Sequence, residues 1–71
     1  MLSKEEIEKR FNYHKPSNES IAIKHELIRT KCRELAEELC VTCPAGRELA
    51  LAITNLEETM MWANAAIARN Q

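Results

Sequence analysis

An aromatic residue, a histidine and a lysine stand side by side in a proline-containing break, and this trio is the part of the sequence best suited to bind a ligand. The segment reads Tyr13-His14-Lys15-Pro16. An aromatic ring stacks on a nucleobase, and a neighbouring cation neutralises a phosphate. His14 also has a simpler interpretation, a histidine in a solvated loop, and the sequence leaves both open.

The other reactive side chains form no recognisable catalytic or metal-binding pattern. Cys40 and Cys43 have the spacing of half a zinc site or of a redox pair, but no second pair follows and no βαβ pattern surrounds them. His25 falls on the apolar face of a predicted helix, which favours a structural histidine over a catalytic base. The sequence shows no pattern of a serine–histidine–aspartate triad, no glycine-rich phosphate loop and no residue spacing typical of a nuclease metal site. We predict a protein that is not an enzyme and that has neither metal nor cofactor.

Arg69 is open to two interpretations. A cation in the last turn of a helix is favoured by the helix dipole alone. A phosphate-binding role is the alternative, if another subunit brings basic or polar groups close to Arg69.

Composition limits the kinds of partner. The chain has 71 residues, a formal net charge of -1, 45% apolar residues, one glycine and two prolines. It lacks the positive field of a protein that coats long nucleic acid. No apolar run reaches the roughly 20 residues that span a bilayer, and Met1 to Arg10 is too charged for a signal peptide, so we expect a cytoplasmic protein without a membrane partner.

Three helices are predicted in a single domain covering residues 1–71. Ser3 and Glu6 have the spacing of a capping box that begins a short first helix. Pro16 interrupts the chain, and Ser17 or Asn18 is expected to cap a second helix that runs to about residue 40. Residues 41–46 form the next break, in which Pro44 suits the first position of a third helix and Thr42 or Cys43 its cap.

The two long helices share one apolar period. Residues spaced alternately by four and three form the seam of each helix: Ile21, His25, Ile28, Cys32, Leu35 and Leu39 on the second, and Leu49, Ile53, Leu56, Met60, Ala63 and Ile67 on the third. Matching seams of similar length predict an antiparallel hairpin. The third helix has surplus apolar residues, Trp62 and its alanines among them, so we expect an all-α protein that assembles into a homo-oligomer.

Two segments of the sequence resemble a known family. They are Arg10-Phe11-Asn12-Tyr13-His14, and the stretch from Cys43-Pro44-Ala45-Gly46-Arg47-Glu48 through Leu56-Glu57-Glu58 to Met61-Trp62-Ala63-Asn64-Ala65-Ala66-Ile67-Ala68-Arg69. The chain is similar in this to the phage anti-CBASS proteins of the second type, the cyclic-nucleotide sponges. The likeness covers nearly the whole chain, and its most specific part is the run that ends at Arg69.

The resemblance implies a compact helical homohexamer in the cytoplasm of the bacterial host. Such a protein binds, without cleaving them, the cyclic di- and trinucleotides that bacterial cGAS-like enzymes make, including cGAMP. The dinucleotide would lie between protomers against Tyr13 and His14, with Lys24 or Lys31 from the next helix. A separate trinucleotide site would use Thr30 and Arg69.

A non-enzymatic adaptor is the alternative prediction. In that case the helical hairpin docks another protein through Trp62 and its neighbours.

Overall fold

The computed structural model describes residues 2–71 and contains three α-helices. They are α1 (Lys4–Phe11), α2 (Glu19–Thr42) and α3 (Arg47–Arg69), and no strand occurs within the described range. The predicted all-α class, with one short helix before two long ones, is confirmed.

The predicted start of α1 is confirmed, but only half of the expected capping box forms. The Glu6 backbone N–H donates to Ser3 Oγ at 3.1 Å, which satisfies one of the free amides at the helix start. The Glu6 carboxylate does not return this bond. Its Oε1 accepts from Arg10 Nε at 2.9 Å, because residues four apart on a helix face one another.

The boundaries between α2 and α3 differ from those predicted. Asn18 is the cap of α2, since its Oδ1 accepts from the Ile21 N–H at 3.0 Å. The helix then runs past residue 40, because the Cys43 N–H still donates to the Leu39 carbonyl at 2.9 Å. Proline disfavours helical backbone angles in the residue before it, so α2 ends at Thr42 and Cys43, which precedes Pro44, is its C-cap.

The prediction that Pro44 begins α3 is wrong. Gly46 is the N-cap, and its carbonyl accepts the first helical hydrogen bond, from the Ala50 N–H at 3.1 Å. Thr42 lies in α2 and Cys43 is the C-cap of that helix, so neither caps α3. Pro44 therefore stiffens the connection and is not part of the third helix.

The helical hairpin packs along the predicted seams, with one exchange. All six predicted seam residues of α3 are half-buried, and so are five of the six on α2. Leu35 is 45% exposed, and Ala36 is half-buried in its place. The period of an α-helix, about 3.6 residues, counted from Cys32 falls between positions 35 and 36, so either residue can face α3.

His25 has the structural role that its seam position predicts. Its Nδ1–H donates to Asn64 Oδ1 at 2.9 Å across the hairpin, and this contact sets the register of α2 against α3. We expect His25→Ala to lower the free energy of unfolding by about 1–2 kcal/mol, because Asn64 loses its partner in a half-buried position. Urea titration at one fixed protein concentration measures this. Ser20→Ala, an exposed change on the same helix, is the control, and equal losses in the two variants would contradict the assigned role.

The chain is a flat layer one helix thick. Its extents are 45 × 34 × 12 Å, and about 10–12 Å is the diameter of a single helix. None of residues 2–71 is fully buried. The accessible surface is 5883 Å², whereas a compact monomer of 8.2 kDa exposes roughly 4,500 Å². One layer has no second layer to cover its faces, so large apolar side chains stay open to solvent.

Exposed apolar residues lie on every element. The most accessible are Phe11, Tyr13, Ile23, Leu27, Val41, Leu51, Met61 and Trp62. No helix within residues 2–71 has an apolar stretch long enough to cross a bilayer.

Candidate functional site

The loop between α1 and α2 presents Tyr13 to solvent. The side chain is 85% exposed, and its phenol ring is therefore free to stack on a flat partner. Lys15, two residues further on, is exposed as well. The loop thus combines the stacking surface and the charge that the sequence indicated.

His14 holds this loop to α1. Its ring Nε2–H donates to the Lys9 carbonyl at 2.7 Å, and that carbonyl belongs to the last turn of α1, where helical partners are missing. A carbonyl oxygen only accepts, so Nε2 carries the proton of this bond. His14 is therefore half-buried and bonded within the chain, which differs from the solvated-loop interpretation, whereas its role in ligand binding stays a prediction.

The side chain of Gln71 ties the same loop to the end of α3. Its Nε2 donates to the Lys15 carbonyl at 2.7 Å, and its Oε1 accepts from the Ser17 N–H at 2.9 Å. These residues are far apart in sequence, and a side chain that bonds loop backbone produces no periodic signal. Sequence reasoning consequently missed Gln71.

A basic concavity of about 480 Å³ opens between α1 and the last turns of α3. Its lining residues are Glu6, Lys9, Arg10, Trp62, Ala65, Ala66, Arg69 and Asn70. Three cations face one carboxylate here, and that carboxylate is already bound by Arg10. The concavity can therefore attract an anionic group such as a phosphate.

Arg69 is oriented within this concavity by Trp62. The guanidinium carbon lies 6.0 Å from the centroid of the indole ring, within the range of a cation–π contact. The Trp62 ring is 58% exposed, and its Nε1–H donates to Glu58 Oε1 at 3.4 Å. One face of the C-terminal helix thus combines an open aromatic surface with a pre-positioned cation.

The two lysines of α2 differ in their surroundings. Lys24 and Lys31 are both exposed. They are seven residues apart, about two helical turns, so they lie on one face of α2 about 10 Å from each other along the helix. Lys31 Nζ lies 3.8 Å from Glu34 Oε2, whereas Lys24 has no ion pair with any residue of the described range. Lys24 also lies two turns closer to the loop that contains Tyr13.

Thr30 lies apart from Arg69. It lines a shallow concavity of about 320 Å³ together with Glu26, Arg29, Arg33 and Met60. His25 and Asn64 are in contact across the hairpin, and Thr30 and Arg69 each lie five residues further along their own helix. Because the two helices are antiparallel, Thr30 and Arg69 lie in opposite directions from this contact, about 15 Å apart along the hairpin axis. A single chain does not bring the two residues together.

The cysteines do not form a metal centre in the described part of the chain. Cys32 and Cys43 are half-buried, Cys40 is exposed, and all three are free thiols. No group of three histidine, cysteine, aspartate or glutamate side chains is placed to hold a metal ion within residues 2–71.

Comparison with known proteins identifies one family. The model of the Acb2/Tad1 hairpin domain matches residues 3–68, which include the loop with Tyr13, all of α2 and all of α3 except its last residue. The match ends one residue before Arg69. No curated protein and no solved structure matches the chain.

Proposed function

Because the chain belongs to the Acb2/Tad1 hairpin-domain family, whose Acb2 members are the anti-CBASS sponges of the second type, we propose that it binds and sequesters cyclic nucleotides. The ligands would be the cyclic di- and trinucleotides that bacterial CBASS immunity uses as second messengers. The protein would act for a phage in the cytoplasm of its bacterial host. The family match over residues 3–68 carries this proposal.

Assembly is the first requirement of the proposed function. A layer 12 Å thick with exposed apolar residues on each helix gains stability when copies cover one another. Its surface exceeds that of a compact monomer by roughly 1,300 Å², more than the roughly 800 Å² that each partner buries in a standard interface. This excess of exposed surface supports a homo-oligomer, and the resemblance to the sponges favours a hexamer.

The dinucleotide site would form where two copies meet. A cyclic dinucleotide has two bases and two phosphates related by a pseudo-twofold axis. Two copies related by a twofold axis would each supply one Tyr13 ring and one lysine, which matches that symmetry. On this proposal the other ring nitrogen of His14, Nδ1, would make a further polar contact with the ligand.

The trinucleotide site would also depend on assembly. Thr30 and Arg69 lie in different concavities of one chain, so a site containing both needs residues from different copies. The proposed pairing would thus let a short chain, in which Thr30 and Arg69 line only open concavities, form a complete pocket.

We propose sequestration and not cleavage. Retaining a messenger requires affinity and abundance, and neither requires a nucleophile, a general base or a metal. Titration calorimetry with cyclic GMP-AMP and with cyclic tri-AMP tests the proposal, and we expect heat of binding for at least one of them at micromolar protein. Absence of heat with both ligands would refute it.

Lys24 is the better-placed phosphate ligand of the dinucleotide site. We expect Lys24→Ala to weaken dinucleotide binding at least about tenfold, because even one charge-assisted hydrogen bond contributes roughly 1.5–3 kcal/mol. Lys31→Ala is the matched control, since Lys31 already has a carboxylate partner. Dissociation constants from calorimetry decide between them, and a larger loss in Lys31→Ala would reverse the assignment.

The adaptor function is retained as a second candidate because Trp62 is open to solvent in the single chain. On that hypothesis another protein covers the indole ring. A chain that light scattering shows to be monomeric, and that binds no cyclic nucleotide, would favour the adaptor.

A further inference from the structure

The loop that presents Tyr13 is joined to α3 by one side chain. Within residues 2–71, the two hydrogen bonds of Gln71 are the only ones between this loop and α3 or the residues that follow it. The bond of His14 links the loop to α1, which is itself short and exposed. Within residues 2–71, Gln71 therefore supplies the hydrogen bonds that hold this loop to the C-terminal end of the hairpin.

The chemistry at this position is specific to a glutamine. The carboxamide donates to a carbonyl with its nitrogen and accepts from an N–H with its oxygen, so it uses both functions at once. Glutamate offers only an acceptor, methionine offers neither function, and asparagine is one methylene shorter. Glutamine is the only natural carboxamide side chain of this length.

The backbone before Gln71 is fixed as well. Asn70 is the C-cap of α3, and its side-chain Nδ2 donates to the Ala66 carbonyl at 2.9 Å. This cap sets the direction in which the following residue leaves the helix. Gln71, which bonds Lys15 and Ser17, thus follows directly after the capped end of α3.

We infer that Gln71 is a positioning residue of the dinucleotide site, holding the 12–18 loop so that Tyr13 is ordered before the ligand arrives. The inference rests on the proposed function. A loop released from α3 has to be ordered during binding, and that loss of conformational entropy lowers affinity. Tyr13 contacts the ligand, whereas Gln71 acts through the backbone that supports it.

Substitution of Gln71 by methionine removes both hydrogen bonds at nearly constant size. We expect Gln71→Met to weaken cyclic GMP-AMP binding about five- to tenfold, with little change in cyclic tri-AMP binding. Gln71→Glu keeps the acceptor for the Ser17 N–H and should retain more of the affinity. In a Tyr13→Ala background, Gln71→Met should cause no further loss, because the ring that it positions is absent.

Amide hydrogen exchange provides a readout that needs no ligand. The Ser17 N–H should exchange faster in Gln71→Met, while amides in the middle of α2 keep the wild-type rate. Three results in Gln71→Met would overturn the inference and leave the proposed function standing. They are unchanged exchange at the Ser17 N–H, equal losses of affinity for both nucleotides, and wild-type dinucleotide affinity. A wild-type protein that binds neither nucleotide would instead overturn the proposed function and the inference together.

Discussion

Trp62→Glu is expected to convert the assembly into single chains. The indole ring is 58% exposed in one chain and is flanked by Ala65 and Ala66, small residues that allow another helix to approach. Burying a carboxylate in such a contact without a partner is strongly unfavourable. Light scattering should give a mass near 8.2 kDa for the variant. The wild type should give a multiple of that value, about 49 kDa for six chains.

The same substitution should abolish binding of both cyclic nucleotides, since both sites are proposed to lie between copies. Thr54→Glu is the control, because it adds the same charge at an exposed position of the same helix. Circular dichroism shows whether each variant remains helical. A monomeric wild type, or an assembly that Trp62→Glu leaves intact, would contradict the proposed contact.

Tyr13→Ala should weaken cyclic-dinucleotide binding at least about 30-fold while leaving trinucleotide binding nearly unchanged. Stacking contributes about 1–3 kcal/mol for each base, and in the proposed site two copies would supply two rings to one ligand. Tyr13→Phe keeps the ring and should keep most of the affinity.

Arg69→Ala should show the opposite preference, weakening cyclic tri-AMP binding at least about tenfold through loss of a charge-assisted hydrogen bond. Arg69→Lys retains the charge but lacks the planar guanidinium, so we expect an intermediate affinity. Calorimetry of all four variants with both ligands measures the pattern. Equal losses for the two nucleotides in either alanine variant would contradict two separate sites.

Most of the secondary structure follows from local chemistry in the sequence. Ser3 and Asn18 cap helices because a side-chain oxygen accepts from an amide three residues on. The seam of α3 follows its apolar period, since the two helices lie antiparallel along its whole length. The start of α3 was missed because both Pro44 and Gly46 are acceptable near a helix start, and local preference does not choose between them.

Less of the site is predictable. The loop residues Tyr13 and His14 were identified by type, but the bond from His14 to the Lys9 carbonyl depends on how the chain turns after α1. The tie from Gln71 joins residues more than fifty positions apart, and only the closed hairpin brings them together. Contacts between side chains and distant backbone have no sequence period, so a pattern search does not find them.

Recovery of the ligand tests the central claim most directly. The protein is incubated with cyclic GMP-AMP, separated from free nucleotide, denatured with heat, and the released nucleotide is identified by chromatography. Sequestration predicts intact cyclic nucleotide in proportion to the protein, even after long incubation. Linear products, or no nucleotide retained with the protein, would contradict it.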